Sequence, residues 1–152
     1  MSTPAPPAAD IRLVVGYDGS PPAVRALDSA ARLLQGRTGQ IDVTYIAHLP
    51  SVAALSAGAV GELEENFDEV AEELRAVCEE QLRGQPVNWR FEWRQGAIVE
   101  ELIAAAKDIH AAEPLVTVVI VVGASSLATH RVVGSVAVGL ARHSPVPLVV
   151  VP

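Results

Sequence analysis

The sequence predicts an α/β protein with a five-stranded parallel sheet, doubly wound, and helices on both faces. Short apolar runs rich in β-branched residues alternate with segments whose apolar residues recur every three or four positions, in the order β-α-β-α-β-α-β-α-β. The run Leu115 to Gly123 is almost entirely apolar, as a central strand covered on both faces requires. Such alternation favours parallel strands joined by right-handed helical crossovers.

Length and composition fit one domain. The chain has 152 residues, of which 50% are hydrophobic and 4% aromatic, so the expected core consists of Ala, Val, Leu and Ile. We expect residues 1–10 to be a disordered leader and residues 11–152 to form the single domain. The leader lacks the charged start and apolar centre of a secretory signal, and no run approaches the roughly 20 apolar residues of a membrane span. A cytoplasmic location is therefore expected.

The charge of the chain weighs against one class of partner. The formal net charge is -7, whereas proteins that bind nucleic acids generally carry a basic face that neutralises phosphates. Nucleic acid is not an expected partner, and neither is a membrane.

The first predicted strand runs from Ile11 to Asp18, and a helix follows it. Ser20 is placed as the N-cap of this helix, and two prolines suit a first turn that needs no backbone donors. The helix should end near Gly36, and the second strand should run from Ile41 to Pro50. The residues expected on the buried face of the helix are Ala23, Leu27, Ala30, Ala31 and Leu34.

An acidic segment lies between the second and third strands. Ser51 to Gly61 has no clear period and is expected to be a loop, and a helix with many glutamates on its solvent side should follow. Cys78 borders the apolar stripe of that helix and is expected to be a buried, unreactive thiol. The stripe consists of Leu63, Phe67, Val70, Leu74 and Val77.

The third strand, Pro86 to Gly96, alternates apolar and polar residues as a half-buried strand should. Two interpretations of its aromatic side are open: a stacking platform for bases, or packing against the core. The polar side carries only Arg90 and Arg94 in an acidic chain, which favours packing. The residues on the apolar side are Val87, Trp89, Phe91 and Trp93.

The last third of the chain is expected to hold two helices and two strands. A helix from about Ala97 to His110 should precede the strand that ends at Gly123, and a helix over Gly134 to His143 should be capped by Ser135. The final strand, "VPLVVVP", has no helix after it and should occupy an edge of the sheet. An exposed apolar edge invites pairing, so we expect a homodimer formed through Leu148 to Val151.

Ligands of doubly wound sheets bind beyond the carboxyl ends of the strands, where the strand order reverses. Three stretches meet there: Gly16 to Ser20, Thr44 to His48, and Val121 to Val136. An aspartate at a strand end accepts hydrogen bonds from a ribose or a base, and a Gly-Ser pair that opens a helix offers N–H groups to a phosphate. The simpler alternatives stay open, namely that the glycines only form turns and that Asp18 only caps the first helix.

The standard catalytic and nucleotide motifs are absent. The sequence contains neither G-x-x-x-x-G-K-[ST] nor G-x-G-x-x-G, so neither a P-loop nor a dinucleotide-binding fold is indicated. The four histidines are scattered singly, and no Cys/His spacing suggests a metal site. No catalytic residues are therefore assigned.

Three stretches together resemble the universal stress protein family: "VVGYDGSPPAVRAL", "GASSLATHRVVGSVA" and the terminal "ARHSPVPLVVVP". The resemblance extends from Ile11 to Pro152. It implies an α/β domain of the adenine-nucleotide alpha-hydrolase-like type, cytoplasmic, usually homodimeric, and in one branch of the family carrying ATP. Magnesium is expected only together with a bound nucleotide.

The resemblance also implies a set of binding residues. Asp18 would meet the nucleotide near its base and ribose, with Gly16 at the same strand end, and Ile46 would present its backbone to adenine. The residues that would surround the ribose and phosphates are Gly123, Ser126, Gly134, Ser135 and Val136.

The phosphate loop departs from the ATP-binding branch, whose pattern is G-x2-G-x9-G-[ST]. Ser126 replaces the second glycine, and the loop before Gly134 is two residues shorter. Compensating donors are available from Ser126, Thr129, His130 and Arg131. The departure weighs against a triphosphate and leaves a smaller adenine nucleotide open.

Three functional hypotheses follow. The first is a cytoplasmic stress-response module that regulates by binding, with weak adenine-nucleotide binding at the switch point. The second is a slow, metal-dependent ATP hydrolase, for which Asp18 and His130 are the candidate bases. The third is a protein-interaction module that has lost nucleotide binding.

Overall fold

A computed structural model describes residues 9–48, 57–124 and 134–152 of the chain, with side chains of the second range described from residue 66 onward. Strands and helices alternate throughout these residues. The elements are β1 (Ile11–Gly16), α1 (Pro21–Leu33), β2 (Gly39–Ala47), α2 (Ala57–Leu82), β3 (Asn88–Gln95), α3 (Ile98–Ala112), β4 (Thr117–Gly123), α4 (Ser135–His143) and β5 (Leu148–Val151).

The strands form one parallel sheet in the order β3-β2-β1-β4-β5, which confirms the predicted fold class. In the centre, Val15 pairs with Val43 of β2 and with Val121 of β4. The chain turns in opposite directions on the two sides of β1, so the crevice that such sheets use for ligands opens at the carboxyl ends of β1 and β4. β5 lies at an edge as predicted, and β3 occupies the other edge.

Two apolar cores cover the two faces of the sheet. α1 and α2 pack on one face, and every residue predicted for the buried side of α1 is buried. α3 and α4 pack on the other face, where Leu102, Ile120 and Leu140 are almost fully buried. Small side chains let the layers approach closely: a Cβ added at Gly139 of α4 would lie 2.9 Å from Cγ2 of Val99 in α3.

Two expectations for the acidic helix are wrong. The helix begins at Ala57, so the predicted loop does not include residues 57–61, and the helix continues through Gly58 and Gly61 despite the weak helix propensity of glycine. Val77, placed on the apolar stripe, is 50% exposed, because the helical period brings Cys78 to the core instead. Residues 51–56 and 1–8 lie outside the described residues, so the leader and the rest of the loop stay predictions.

The aromatic side of β3 packs against the core, as predicted. Trp89 and Phe91 contact the α1–α2 core, and the rings of Trp93 and Phe67 lie 6.2 Å apart between centroids. These side chains are therefore used in packing and do not form an open platform for bases.

The opposite side of β1, β2 and β3 carries a charge network. Arg12 is 5% exposed and forms two hydrogen bonds with the fully buried Asp42, and it also pairs with Glu113. Arg90 pairs with the same aspartate, to which Gln40 donates at 3.2 Å. The hydrogen bond to Asp42 raises the pKa of Arg12 against the opposing effect of burial, so this guanidinium stays charged inside the fold.

A second part of this network connects β3 to α3 through ion pairs of Arg94. Arg94 of β3 lies 3.0 Å from Glu101 and 3.1 Å from Asp108, which are two turns apart on α3. Burial opposes its charge, but the bonds to these carboxylates raise the pKa of Arg94 on balance. Arg94 therefore fixes the start of α3 relative to the end of β3.

Among the described residues, no helix combines the length and apolarity needed to cross a membrane.

Candidate functional site

A pocket of about 240 Å³ opens at the carboxyl ends of β1, β2 and β4, at the switch point of the sheet. It brings together residues from all three stretches that the sequence placed there. Ser126 lies outside the described residues, so its predicted role stays a prediction. The predicted binding residues that line the pocket are Gly16, Asp18, Ile46, Gly123, Gly134, Ser135 and Val136.

The turn between β1 and α1 forms one side of the pocket. Asp18 does not cap α1: its Oδ1 accepts a hydrogen bond from the N–H of Ser20 at 2.9 Å, which closes a local turn. Gly19 has a φ of 79°, a conformation that glycine adopts without strain. Ser20 is the N-cap as predicted, since its hydroxyl accepts from the N–H of Ala23 at 3.4 Å. Asp18 is exposed and lines the pocket, so its carboxylate is accessible to a ligand hydroxyl or amino group.

The first turn of α4 forms the opposite side. The prediction that Ser135 caps this helix is wrong, because Gly134 is the extended N-cap residue (φ -62°, ψ 161°) and Ser135 already belongs to the first turn. Within the described residues no side chain caps α4. The N–H groups of Ser135, Val136 and Ala137 therefore keep the capacity to bind an anion.

Three helices begin at the pocket, and they differ in what they offer an anion. α1 starts with two prolines and a serine cap, so few free N–H groups remain there. α3 carries Glu100 and Glu101 in its first turn, which compensate its dipole. α4 has no acidic residue in its first turn. An anionic group is therefore most favourable at α4.

Gly123 has a steric role as well as a place in the pocket wall. A Cβ at this position would clash with the carbonyl oxygen of Pro22 and would lie 2.6 Å from the Cβ of Pro22. Only glycine lets the end of β4 approach the start of α1 this closely. The pocket depends on that approach, because both residues line it.

Sequence reasoning missed the apolar wall of the pocket. This wall consists of Ile98 and Leu102 of α3, which lie beside Thr44 of the predicted stretch in β2. Ile98 is 39% exposed, so its side chain is accessible to a ligand. The rule that strand ends face the ligand would have found this wall if applied to the turn after β3 as well. His48, in contrast, lies outside the pocket, with Nδ1 3.4 Å from the carbonyl oxygen of Gly96.

Charge is sparse around the pocket. Asp18 is the one Asp, Glu, Lys, Arg or His that lines it among the described residues. The same residues contain no cluster of three or more His, Cys, Asp or Glu side chains that could hold a metal ion. The arrangement therefore suits recognition of a ligand by an acceptor, an apolar wall and backbone donors.

Beneath the pocket, Tyr17 points into the α1–α2 core. Burial raises the pKa of Tyr17 to about 12, with the neighbouring Cys78 thiol as the next contributor. Burial likewise raises the pKa of Cys78 to about 11, and this thiol is fully inaccessible. The prediction of a buried thiol is confirmed, and neither group supplies a nucleophile at neutral pH.

Comparisons with known proteins agree with this geometry. A family model described as the universal stress protein family matches residues 12–152. No curated protein sequence matches the chain significantly.

Solved structures similar to this one span nearly the whole chain. Universal stress protein UspA from Lactobacillus plantarum has a TM-score of 0.72 at 22% identity, covering 95% of this chain and 99% of its own. A universal stress protein in complex with cAMP has a TM-score of 0.64 at 22% identity, with coverages of 95% and 99%. A universal stress protein family protein from Arabidopsis thaliana with AMP bound has a TM-score of 0.63 at 10% identity, with coverages of 93% and 90%. At these identities the likeness establishes the fold alone.

Proposed function

This chain belongs to the universal stress protein family, and we propose that its switch-point pocket binds a small adenine nucleotide. The protein would then act as a regulatory module whose state depends on the bound nucleotide. One observation carries the proposal: the first turn of α4, which no side chain of the described residues caps, lines the same pocket as Asp18. The cAMP and AMP bound to two proteins of the same fold support this choice of ligand.

The pocket suggests an orientation for the ligand. Adenine would lie against Ile98 and Leu102, with the backbone of Ile46 at its edge. Asp18 would accept hydrogen bonds from the ribose hydroxyls, since an ionised carboxylate only accepts. The phosphate would lie at Gly134 and Ser135, where the helix dipole and free N–H groups favour negative charge.

Size and charge favour a ligand with one phosphate. The volume of about 240 Å³ lies below the roughly 300–1,000 Å³ of pockets for drug-sized ligands. No Lys or Arg lines the pocket among the described residues, and a helix N-terminus contributes only about half a unit of positive charge. A triphosphate would therefore leave most of its charge uncompensated by those residues.

Mass spectrometry of the purified, undialysed protein after denaturation tests which ligand it retains. Retained AMP or cyclic AMP supports the proposal. Retained ATP together with release of ADP over time would instead favour the slow hydrolase, with Mg²⁺ as the companion of the triphosphate. A protein without nucleotide is then tested by addition of ligands.

Thermal unfolding with added nucleotide tests the site directly. A ligand that binds only the folded state adds RT ln(1 + [L]/Kd) to stability, so AMP or cyclic AMP at 100 times its Kd should raise the Tm by about 5 °C or more. Asp18→Ala should abolish the rise. Asp28→Ala, which removes a carboxylate from the exposed i,i+4 pair with Arg32 on α1, is the matched control and should keep it. No rise with millimolar AMP, cyclic AMP, ADP or ATP, with or without magnesium, would refute the pocket as a nucleotide site.

We further propose a homodimer formed through β5, acting in the cytoplasm as part of a stress response. The support is the position of β5 at an edge of the sheet and its apolar sequence, Leu148 to Val151. Antiparallel pairing of two copies would satisfy this edge and close the assembly.

A further inference from the structure

A second depression, the α3–α4 groove, adjoins the pocket. It has a volume of about 680 Å³ and runs between the first turns of α3 and the length of α4. Ile98, Ser135 and Val136 line both spaces, so the groove begins at the residues that border the pocket. A phosphate held at the first turn of α4 would lie at the junction of the two.

The groove is lined mainly by apolar groups. Val99 and Ile103 of α3 face it, and Gly139 forms part of its floor because α4 lies directly on Val99 there. Among the described residues, the titratable groups in the lining are the Glu100 carboxylate and the imidazoles of His48 and His143, and neither Lys nor Arg lines the groove. The apolar majority of this lining favours burial of hydrocarbon.

We infer that the ligand is an adenosine 5′-phosphate diester whose second ester group is apolar and lies in the α3–α4 groove. Alkyl adenylates belong to this class. The inference rests on the proposed nucleotide pocket and extends it. A diester carries one negative charge where AMP carries about two, which matches the partial charge of a single helix N-terminus. Its hydrocarbon would contact Val99 and Ile103 in place of water.

Calorimetry with AMP, adenosine 5′-methyl phosphate and adenosine 5′-hexyl phosphate tests the inference. A fully buried methylene tightens binding about fourfold. The five additional methylenes of the hexyl group stay partly exposed in the open groove, so the gain is smaller than full burial would give. We expect the hexyl ester to bind at least tenfold more tightly than the methyl ester. Val99→Thr, which places a hydroxyl in the groove, should reduce this ratio at least threefold and leave AMP binding unchanged. Val138→Thr makes the same change at a 39% exposed residue of α4 outside the groove and should leave the ratio unaltered.

The other outcomes separate the two proposals. Equal affinities for the methyl and hexyl esters would overturn the groove and leave the nucleotide pocket intact. If the hexyl ester binds more tightly than the methyl ester and the affinity ratio is unchanged in Val99→Thr, the groove proposal is also overturned, because the hexyl group would then bind elsewhere. Hexyl binding that requires dissociation of a dimer, measured by light scattering, would assign the groove to a second copy and overturn it as well. No binding of any of the three compounds would overturn the pocket itself.

Discussion

Arg12 and Asp42 form a buried ion pair across β1 and β2, with Nε to Oδ2 and Nη2 to Oδ1 both at 2.7 Å. Removing Asp42 leaves the buried Arg12 with only the partly exposed Glu113 as a carboxylate partner. We therefore expect Asp42→Leu to lower the free energy of unfolding by about 3–5 kcal/mol. The double variant Arg12→Met with Asp42→Leu should lose less than the single variant, because no buried charge remains. Urea unfolding measures both.

A control for this pair lies on the surface of α1. Asp28 pairs with Arg32 at 2.7 Å, but both side chains are largely exposed. Asp28→Ala should cost less than about 1 kcal/mol. A double variant at Arg12 and Asp42 that is less stable than Asp42→Leu alone would contradict the role of stranded charge.

Gly123→Ala tests the contact between the end of β4 and the start of α1. The added methyl would clash with the carbonyl of Pro22, so we expect a loss of about 1–3 kcal/mol and a smaller Tm rise with AMP. Gly36→Ala is the control: its φ of 71° imposes backbone strain, but no atom lies within 4 Å of the added methyl. That variant should lose about 1 kcal/mol and keep the full Tm rise. If Gly123→Ala left the free energy of unfolding unchanged, the close contact between α1 and β4 would not contribute to stability.

Stability should fall at alkaline pH because of Cys78. The thiol keeps its proton in the folded state up to a pKa of about 11 but loses it near its ordinary value of 9.0 in the unfolded chain. Unfolding therefore releases a proton between these values, and stability present below pH 9 is lost as pH rises toward 11. The loss between pH 8 and 10.5 should be roughly 2 kcal/mol. Tyr17 adds a similar loss between pH 10 and about 12.

Cys78→Ala separates the two contributions. The variant is less stable at every pH, but its loss between pH 8 and 10.5 should be smaller than that of the wild type. Guanidinium unfolding at both pH values gives the comparison. An equal loss in the two proteins would exclude Cys78 as the cause.

Val150→Pro tests the proposed dimer. The carbonyls of Pro147 and Val151 accept hydrogen bonds from β4, so alternation places the N–H and C=O of Val150 on the free edge. Proline there removes a donor from the free edge without removing one from the β4 ladder, and we expect a folded monomer by light scattering and circular dichroism. Val150→Thr, which keeps the donor and the branched shape, should stay dimeric. A monomeric wild type at tens of micromolar, or a folded and dimeric Val150→Pro, would refute pairing through β5.

The fold could be predicted because local patterns and chain connectivity both determine it. The pocket followed from the same logic, since parallel strand ends meet at one edge of the sheet and bring Asp18 to Ser135. The first residue of α4 could not be predicted with the same accuracy. A serine after a glycine fits the N-cap and the first turn equally, and only the backbone angles of Gly134 distinguish them.

The charge network around Asp42 could not be predicted from the sequence, for a different reason. Asp42 stands in an apolar run and looks like an isolated acid, whereas its partners Arg12 and Arg90 lie 30 and 48 residues away along the chain. Which of them it meets depends on the order and register of the strands. The apolar wall at Ile98 was missed because none of the three stretches expected at the ligand included the turn after β3.

The two edges of the sheet are chemically unlike. β3 presents Arg90 and Arg94 beside it, tied to carboxylates of β2 and α3, whereas β5 is a short run of Leu and Val. A sheet whose two edges accepted each other would add copies head to tail and grow into an open filament. Docking β5 of one copy on β3 of the next would bury charged groups against valines at a high desolvation cost. Fibre growth by this contact is thus disfavoured by the composition of the two edges.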